Sequence, residues 1–360
     1  MAAARTEVAG ILEKAAAGER ISEAEAVALL KSRDLIAVGQ AAGGLRRRRA
    51  PGAEASFVID RNINFTNVCI AGCRFCAFHR KPGSAEGYLL SHEEIFRKIE
   101  QTLALGGTGI MMQGGLHPKL DIDYYCDLFA AIKSRFDIYI HSLSPPEIYH
   151  IAKISGITVD EAISRLKAAG LDSLPGGGAE ILADGVRARI SPGKADGDAW
   201  LGVMRSAHKA GLRGTATMMF GSIETYADRA VHMGRIRELQ DETGGFTAFI
   251  PWTFQDSHTQ MEGQKSSSGV DYLMTVAVSR IFLDNVRNIQ ASWVTQGLKV
   301  AQISLSFGAN DMGSTMIEEN VVAAAGVSYR VGKDELVNAI RAAGLVPVQR
   351  DNAYNFIDFP

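Results

Sequence analysis

The sequence predicts an α/β protein built as a (β/α)8 TIM-type barrel, with a helical segment before it and an extension after it. Three observations carry that expectation. Short β-branched or apolar runs alternate with helical runs from residue 57 to about residue 306, and eight such strands can be counted. The segments most unusual in glycine, cysteine and polar content fall just after those strands, where barrel loops gather at the functional mouth. The fingerprint G-x-G-x-x-G, which would mark the competing open doubly wound sheet, does not follow the first strand.

Residues 1–52 read as an N-terminal helical segment. Ser22 and Glu25 form a capping box before an Ala- and Leu-rich run, and four arginines, 46–49, precede a break at Pro51 and Gly52. The arginines fit a solvated helix end better than a nucleic-acid contact. Residues 53–310 read as the barrel, with strands over 57–63, 108–112, 138–141, 171–174, 212–219, 246–250, 286–293 and 302–306. Capping residues open the helices between them: Ser91 with Glu94, Ser144 ahead of two prolines and Glu147, and Thr158 with Glu161. Residues 311–360 read as an extension packed on the barrel, with a helix near 335–341 and an apolar run at 345–348.

Composition narrows the function classes. A chain of 360 residues with 46% hydrophobic and 22% charged content suits one large barrel with added segments. A net charge of −2 supplies no global basic field for nucleic acid or an anionic membrane. No apolar run reaches membrane-spanning length, and the first residues lack the apolar core of a signal peptide. Four cysteines, three of them clustered, argue for metal chemistry in a reducing, cytoplasmic compartment rather than for a disulfide framework.

The chemistry concentrates in the loop after the first strand. Cys69, Cys73 and Cys76 stand in C-x3-C-x2-C spacing. Three thiolates can hold a four-iron cluster and leave one iron open to another ligand. A zinc site completed by a distant His or Asp would use the same residues, as would three uncoordinated thiols. The remaining cysteine, Cys126, lies on an expected helix and reads as a buried thiol.

With Phe75 just before its last cysteine, this motif resembles the signature of radical S-adenosylmethionine (SAM) enzymes. Further stretches at 62–67, 113–118, 141–147, 175–180, 217–221, 246–255, 290–296 and 307–320 are similar to the menaquinone and deazaflavin branch of that superfamily. The resemblance implies a [4Fe–4S] cluster on Cys69, Cys73 and Cys76, with SAM chelating the fourth iron. It also implies a 5′-deoxyadenosyl radical acting on a small-molecule substrate, and an electron donor such as flavodoxin or ferredoxin. The cofactor-binding candidates it suggests are Phe75, Gln113, Gly114, Gly115, Glu180, Arg189 and Glu224. Leu116 stands where many relatives carry an acid, so backbone carbonyls of Gln113, Gly114 and Gly115 would take the methionine amino group. Glu180 suits ribose hydroxyls, Arg189 a carboxylate clamp, and Glu224 a second ribose or adenine contact. Trp252, Trp293, Thr295, Gln296 and Asn310 are the substrate-binding candidates, offering aromatic faces and polar groups. His117, His141 and Asp311 are the candidate catalytic groups, the histidines as proton acceptors. Sister synthases of the same branch and a non-catalytic metal-binding barrel are the alternatives.

Overall fold

The computed structural model describes residues 2–264 and 267–357. Three helices come first, Ala2–Ala16, Glu23–Leu30 and Leu35–Arg49. The expected capping box is formed: Ser22 Oγ accepts from Glu25 N at 3.2 Å, and Glu25 Oε2 accepts from Ser22 N at 2.6 Å. The arginine run differs from a simple solvated end. Arg46 is buried and donates to Glu54 O at 2.6 Å. Arg48 donates to Ala16 O and Arg49 to Arg280 O, each at 2.6 Å. Guanidinium groups thus satisfy carbonyls near the ends of neighbouring helices and tie this segment to the barrel.

Ten strands follow among the described residues: β1 (Glu54–Val58), β2 (Asp60–Ile63), β3 (Gly109–Met112), β4 (Tyr139–Ser142), β5 (Ser173–Leu174), β6 (Arg213–Phe220), β7 (Phe246–Thr253), β8 (Asn288–Ile289), β9 (Asp311–Ser314) and β10 (Val346–Gln349). Strands β2 to β8 form one parallel sheet in sequence order, with helices in most of the connections. A three-stranded sheet, β10-β1-β9, joins its two edges. Asn310 N donates to Ile289 O at 3.0 Å and Ala291 N to Asp311 O at 2.8 Å, which places β9 beside β8. On its other side β9 pairs in parallel with β1, and Thr315 N donates to Val58 O at 3.0 Å. Because β1 runs on into β2, the sheet curls into a ring, the TIM-type barrel that the alternating pattern predicts.

Two expectations shift. The run 57–63 is interrupted at Ile59, between the end of β1 and the start of β2, and just before it the β1–β9 register slips between Ser56 and Val58. The eighth strand expected over 302–306 is helical instead: Leu298–Ser304 is α-helix, continued by a 3-10 turn at Leu305–Phe307. Its buried positions are Ala301, Ser304 and Leu305, a spacing of three and four, so a short apolar run was read with the wrong period. The ring is completed by β9, which begins at Asp311, a residue expected in the loop after the eighth strand as a candidate catalytic group.

What fixes β9 is charge. Asp311 is fully buried, and Arg350, just after β10, donates to Asp311 Oδ2 at 2.5 Å and Oδ1 at 3.1 Å. Ser56 Oγ of β1 donates to the same Oδ2 at 2.5 Å. Three segments distant in sequence meet on one carboxylate. Replacing it as Asp311→Ala leaves the Arg350 cation buried and unpaired, and should lower stability by about 3–5 kcal/mol. Chemical denaturation of the metal-free chain checks this, and a loss below about 1 kcal/mol, the range of an exposed pair, would contradict it.

Candidate active site

The loop between β2 and the helix His92–Ala104 carries the three cysteines. Its backbone is pinned from several sides: Cys69 N donates to Arg80 O at 2.9 Å, Ile70 N to Leu116 O at 3.1 Å and Arg74 N to Ile190 O at 2.8 Å. Ala71, Cys73 and Leu116 form a small buried cluster, against which Cys69, Phe75 and Cys76 pack half-buried. Cys69 Sγ accepts from Ala71 N at 3.4 Å and Leu116 N at 3.3 Å. Burial pushes the Cys73 thiol up to about 12, against the pull of the Lys194 ammonium.

The loop after β3 clamps the first cysteine. A Cβ on Gly115 would lie 2.2 Å from Val68 O and 2.7 Å from Cys69 Cβ, so only glycine fits there. Gly114 N donates to Glu147 Oε1 at 2.9 Å, while Glu147 Oε2 caps Ser144 N at 2.8 Å. Sequence reading saw Glu147 only as a helix cap; its second oxygen holds the glycine loop. Burial raises this carboxyl to about 7, with its Ser144 and Gly114 donors opposing. A Cβ on Gly177 would lie 2.4 Å from Gln113 Nε2, which brings the loops after β3 and β5 together.

Glu180, after those glycines, is buried with φ 42°, a left-handed backbone that is uncommon outside glycine and concentrates at functional sites. Its carboxylate lies 3.0 Å from Lys194 Nζ and 3.5 Å from Arg187 Nη1. Lys194 also stands 5.2 Å from the Phe75 ring centroid, linking this pair to the cysteine loop. The structure brings Arg187, not Arg189, to Glu180; Arg189 is exposed. On the helix Asp184–Ile190, Arg187 shares the buried face of Val186 and Ile190, a helical spacing that could have singled it out. Glu224 does not line the cavity. Its carboxylate accepts from Gly221 N at 2.6 Å, Ser222 N at 2.8 Å and Arg229 Nε at 3.0 Å, and so secures the turn after β6.

A cavity of about 260 Å³ occupies the barrel interior, far more than a few waters need. Alternate residues face it: Asp60 and Asn62 on β2, Thr215 and Thr217 on β6, Ile250 and Trp252 on β7. Gln113, His141, Trp252, Trp293 and Thr295 of the expected residues line it. Gln296 sits beside it, donating to Thr253 Oγ1 at 2.6 Å. Asn310 and Asp311 face elsewhere: Asn310 Oδ1 accepts from Arg280 Nη2 at 2.7 Å, and Asp311 holds Arg350. His117 is outside the lining, its Nδ1 accepting from Lys119 N at 3.2 Å. Sequence reading missed Asp60, Asn62, Gln290, Arg350, Asn352 and Tyr354; only the polar alternation at 60 and 62 was visible in the sequence. Cys126 is half-buried on the helix Ile122–Arg135.

Among the described residues no three His, Cys, Asp or Glu side chains converge on a single ion. Three thiols on one pinned loop are a ligand set that can hold a multi-iron centre and leave one iron open. Fold and site together define a class, a barrel whose mouth carries a three-cysteine loop of the kind that can hold a cluster with an open iron.

Comparison with known proteins agrees. Residues 63–236 match the model of the radical SAM superfamily, and residues 243–360 match that of the CofH/MqnC C-terminal region. The chain is 49% identical over 349 residues to the cyclic dehypoxanthine futalosine synthase of Halalkalibacterium halodurans, covering 97% of this chain and 94% of that one. It is 43% identical to the 5-amino-6-(D-ribitylamino)uracil–L-tyrosine 4-hydroxyphenyl transferase of Archaeoglobus fulgidus, over 87% of this chain and 91% of that one. Among solved structures, methylornithine synthase superposes with a TM-score of 0.75 at 18% identity, covering 94% of this chain and 97% of that one, a likeness of fold. The chain belongs to the radical SAM superfamily, in its CofH/MqnC family, which implies a [4Fe–4S] cluster and SAM. No described helix is long and apolar enough to cross a membrane.

His141 yields a test of the cavity's electrostatics. Its Nδ1 lies 2.6 Å from Ser173 Oγ, and burial, with the Arg350 cation in second place, lowers its pKa to about 3. Unfolded histidine titrates near 6.5, so between those values the unfolded chain binds the extra proton and stability falls as pH drops. This one group contributes a slope of up to about 1.4 kcal/mol per pH unit below about pH 6.5. In His141→Gln that share of the slope should vanish, as denaturation midpoints at several pH values between 7 and 4 would reveal.

Proposed function

We propose that this enzyme converts dehypoxanthine futalosine to cyclic dehypoxanthinyl futalosine in the futalosine route to menaquinone. The observation that carries the reading is the likeness to the futalosine synthase along almost the whole of both chains. The cavity supports it, since two tryptophans and a set of uncharged polar groups suit a ring-bearing, sugar-bearing substrate.

Cys69, Cys73 and Cys76 would hold the cluster, which with SAM supplies a 5′-deoxyadenosyl radical. In the reaction that the resemblance implies, a hydrogen atom leaves C4′ of the substrate ribose. The carbon radical adds to the attached benzoate ring, and loss of one proton and of one electron, which would return to the cluster, restores aromaticity. The surrounding residues bind, orient and exclude water. Phe75 shields the cysteine loop, and Gln113, Gly114 and Gly115 bring backbone close to the SAM methionine. Glu180 keeps lone pairs for ribose hydroxyls beside its Lys194 and Arg187 partners. Trp252 and Trp293 flank the aromatic ring, with Thr295 beside them. His141 lines the cavity, but burial holds its imidazole neutral with a pKa of about 3, which makes it a poor acceptor for the ring proton. A one-electron carrier of the flavodoxin or ferredoxin class would approach where the cysteine loop reaches the surface at Ile70, which is 51% exposed.

Anaerobically reconstituted protein with dithionite and SAM should turn dehypoxanthine futalosine into a product two hydrogens lighter, with release of 5′-deoxyadenosine and methionine. Cys76→Ala should abolish both products while far-ultraviolet circular dichroism stays unchanged. Turnover only with tyrosine plus the ribitylamino-uracil would sink this reading in favour of the transferase activity named for the archaeal relative.

A further inference from the structure

The floor of the substrate cavity is made by the segment after β10. Tyr354 lines that cavity, and it also lines a second, polar cavity of about 530 Å³ at the N-terminal ends of β6 to β8, bordered by Arg213, Gln240, Arg287 and Asn288. One side chain is therefore a wall of two spaces. Its placement is heavily constrained. The backbone of Tyr354 has φ 68°, a conformation that a bulky residue keeps only when its surroundings impose it. The turn around it is stapled, with Asp351 N donating to Asn355 O and Asn355 N donating to Asp351 Oδ1. Arg350, itself fixed by Asp311, lies 3.8 Å from the Tyr354 ring centroid.

The hydroxyl has a directed task. Tyr354 Oη donates to Gln290 Oε1 at 3.3 Å, and Arg350 Nη2 reaches the same oxygen at 3.5 Å. With donors on its oxygen, the Gln290 amide offers its NH2 end to a ligand. Such an end suits an acceptor, either a carboxylate or an ether oxygen.

We propose that Tyr354 is a specificity-determining residue: its ring sets the depth of the substrate cavity, and its hydroxyl turns Gln290 to donate to an acceptor group of the substrate. This rests on the reading that the barrel cavity receives the futalosine substrate. Removing the ring would join the two cavities, letting the substrate slide along the barrel axis away from the radical source. Displacements of about 1 Å are enough to lose turnover on the order of a hundredfold.

The test uses full-length holoenzyme as wild type, Tyr354→Phe and Tyr354→Ala, matched for iron content. For Tyr354→Ala, cyclised product formed per 5′-deoxyadenosine should fall at least about tenfold. For Tyr354→Phe, which keeps the ring, that ratio should hold while KM for the substrate rises about 3- to 10-fold, the range of one lost hydrogen bond, with kcat little changed. If Tyr354→Ala does not fold, the KM-against-kcat split in Tyr354→Phe decides alone. A purely structural tyrosine would lower the melting temperature but leave the product ratio and KM at wild-type values, and that result overturns the proposal. A second readout does not depend on the substrate: acrylamide should quench Trp252 and Trp293 fluorescence more strongly in Tyr354→Ala than in wild type. If wild type makes 5′-deoxyadenosine but no cyclised product, the substrate reading fails by itself, whereas unchanged quenching overturns the floor.

Discussion

The buried pair between Asp311 and Arg350 is the interaction on which the rest of the barrel depends. β9 has little of its own to recommend it as a strand, since the sequence from Asp311 to Ser314 contains no β-branched or aromatic residue. It is held in the ring because its first side chain is the common acceptor for Arg350 and for Ser56 of β1. Burying two charges is unfavourable unless geometry is good and the remaining lone pairs find donors. Here the guanidinium is bidentate and the serine supplies a further donor, so the pair specifies which segments meet as well as how strongly they hold. The same arginine stacks on Tyr354 and stands near His141. Closure of the ring and the electrostatics of the cavity thus share one cation.

At the other end of the barrel the constraint is steric. Cys69 lies under the glycine loop that follows β3, and that loop is tied to Glu147 at the start of the next helix but one. The three thiols are consequently presented by a loop whose backbone is already committed, which lowers the ordering required when iron binds. Radical chemistry also needs water kept away from the reacting carbon. Apolar packing of Ala71, Cys73 and Leu116 on one side and the tryptophan walls on the other provide that enclosure.

The sequence carried the architecture where periodicity was strong and lost it where burial came from charge. Residues 212–219 and 246–250 were placed to within a few residues because β-branched and apolar residues dominate them, while the eighth strand was assigned to 302–306, whose burial runs at helical spacing. Asp311 was expected in a loop as a candidate catalytic group because its partner lies 39 residues away, beyond any local signal. The same limit applies in the site. The cysteines announce themselves by spacing, and Gln113, His141, Trp252, Trp293 and Thr295 by following or ending strands. Glu224 also follows a strand, but Arg229, five residues on in the next helix, and the turn amides occupy it. Arg187 and Arg189 are indistinguishable by composition; the helical face separates them.

The two ends of the barrel therefore divide the work by kind of force. The cysteine end relies on close backbone approach, where glycine is required and side chains would collide. The floor relies on charge and directed hydrogen bonds, where Arg350, Gln290 and Tyr354 hold one another in place. Asp60 belongs to the second set: burial raises its carboxyl above the ordinary range, while Ser314 and Asn352 donate to it. On the proposed reading, a ligand between the ends would meet the cofactor wall above and this polar floor below, and its length would have to match the gap. In a reaction whose outcome depends on which carbon faces the radical, that distance would select the carbon, with the aromatic side walls holding the ring flat.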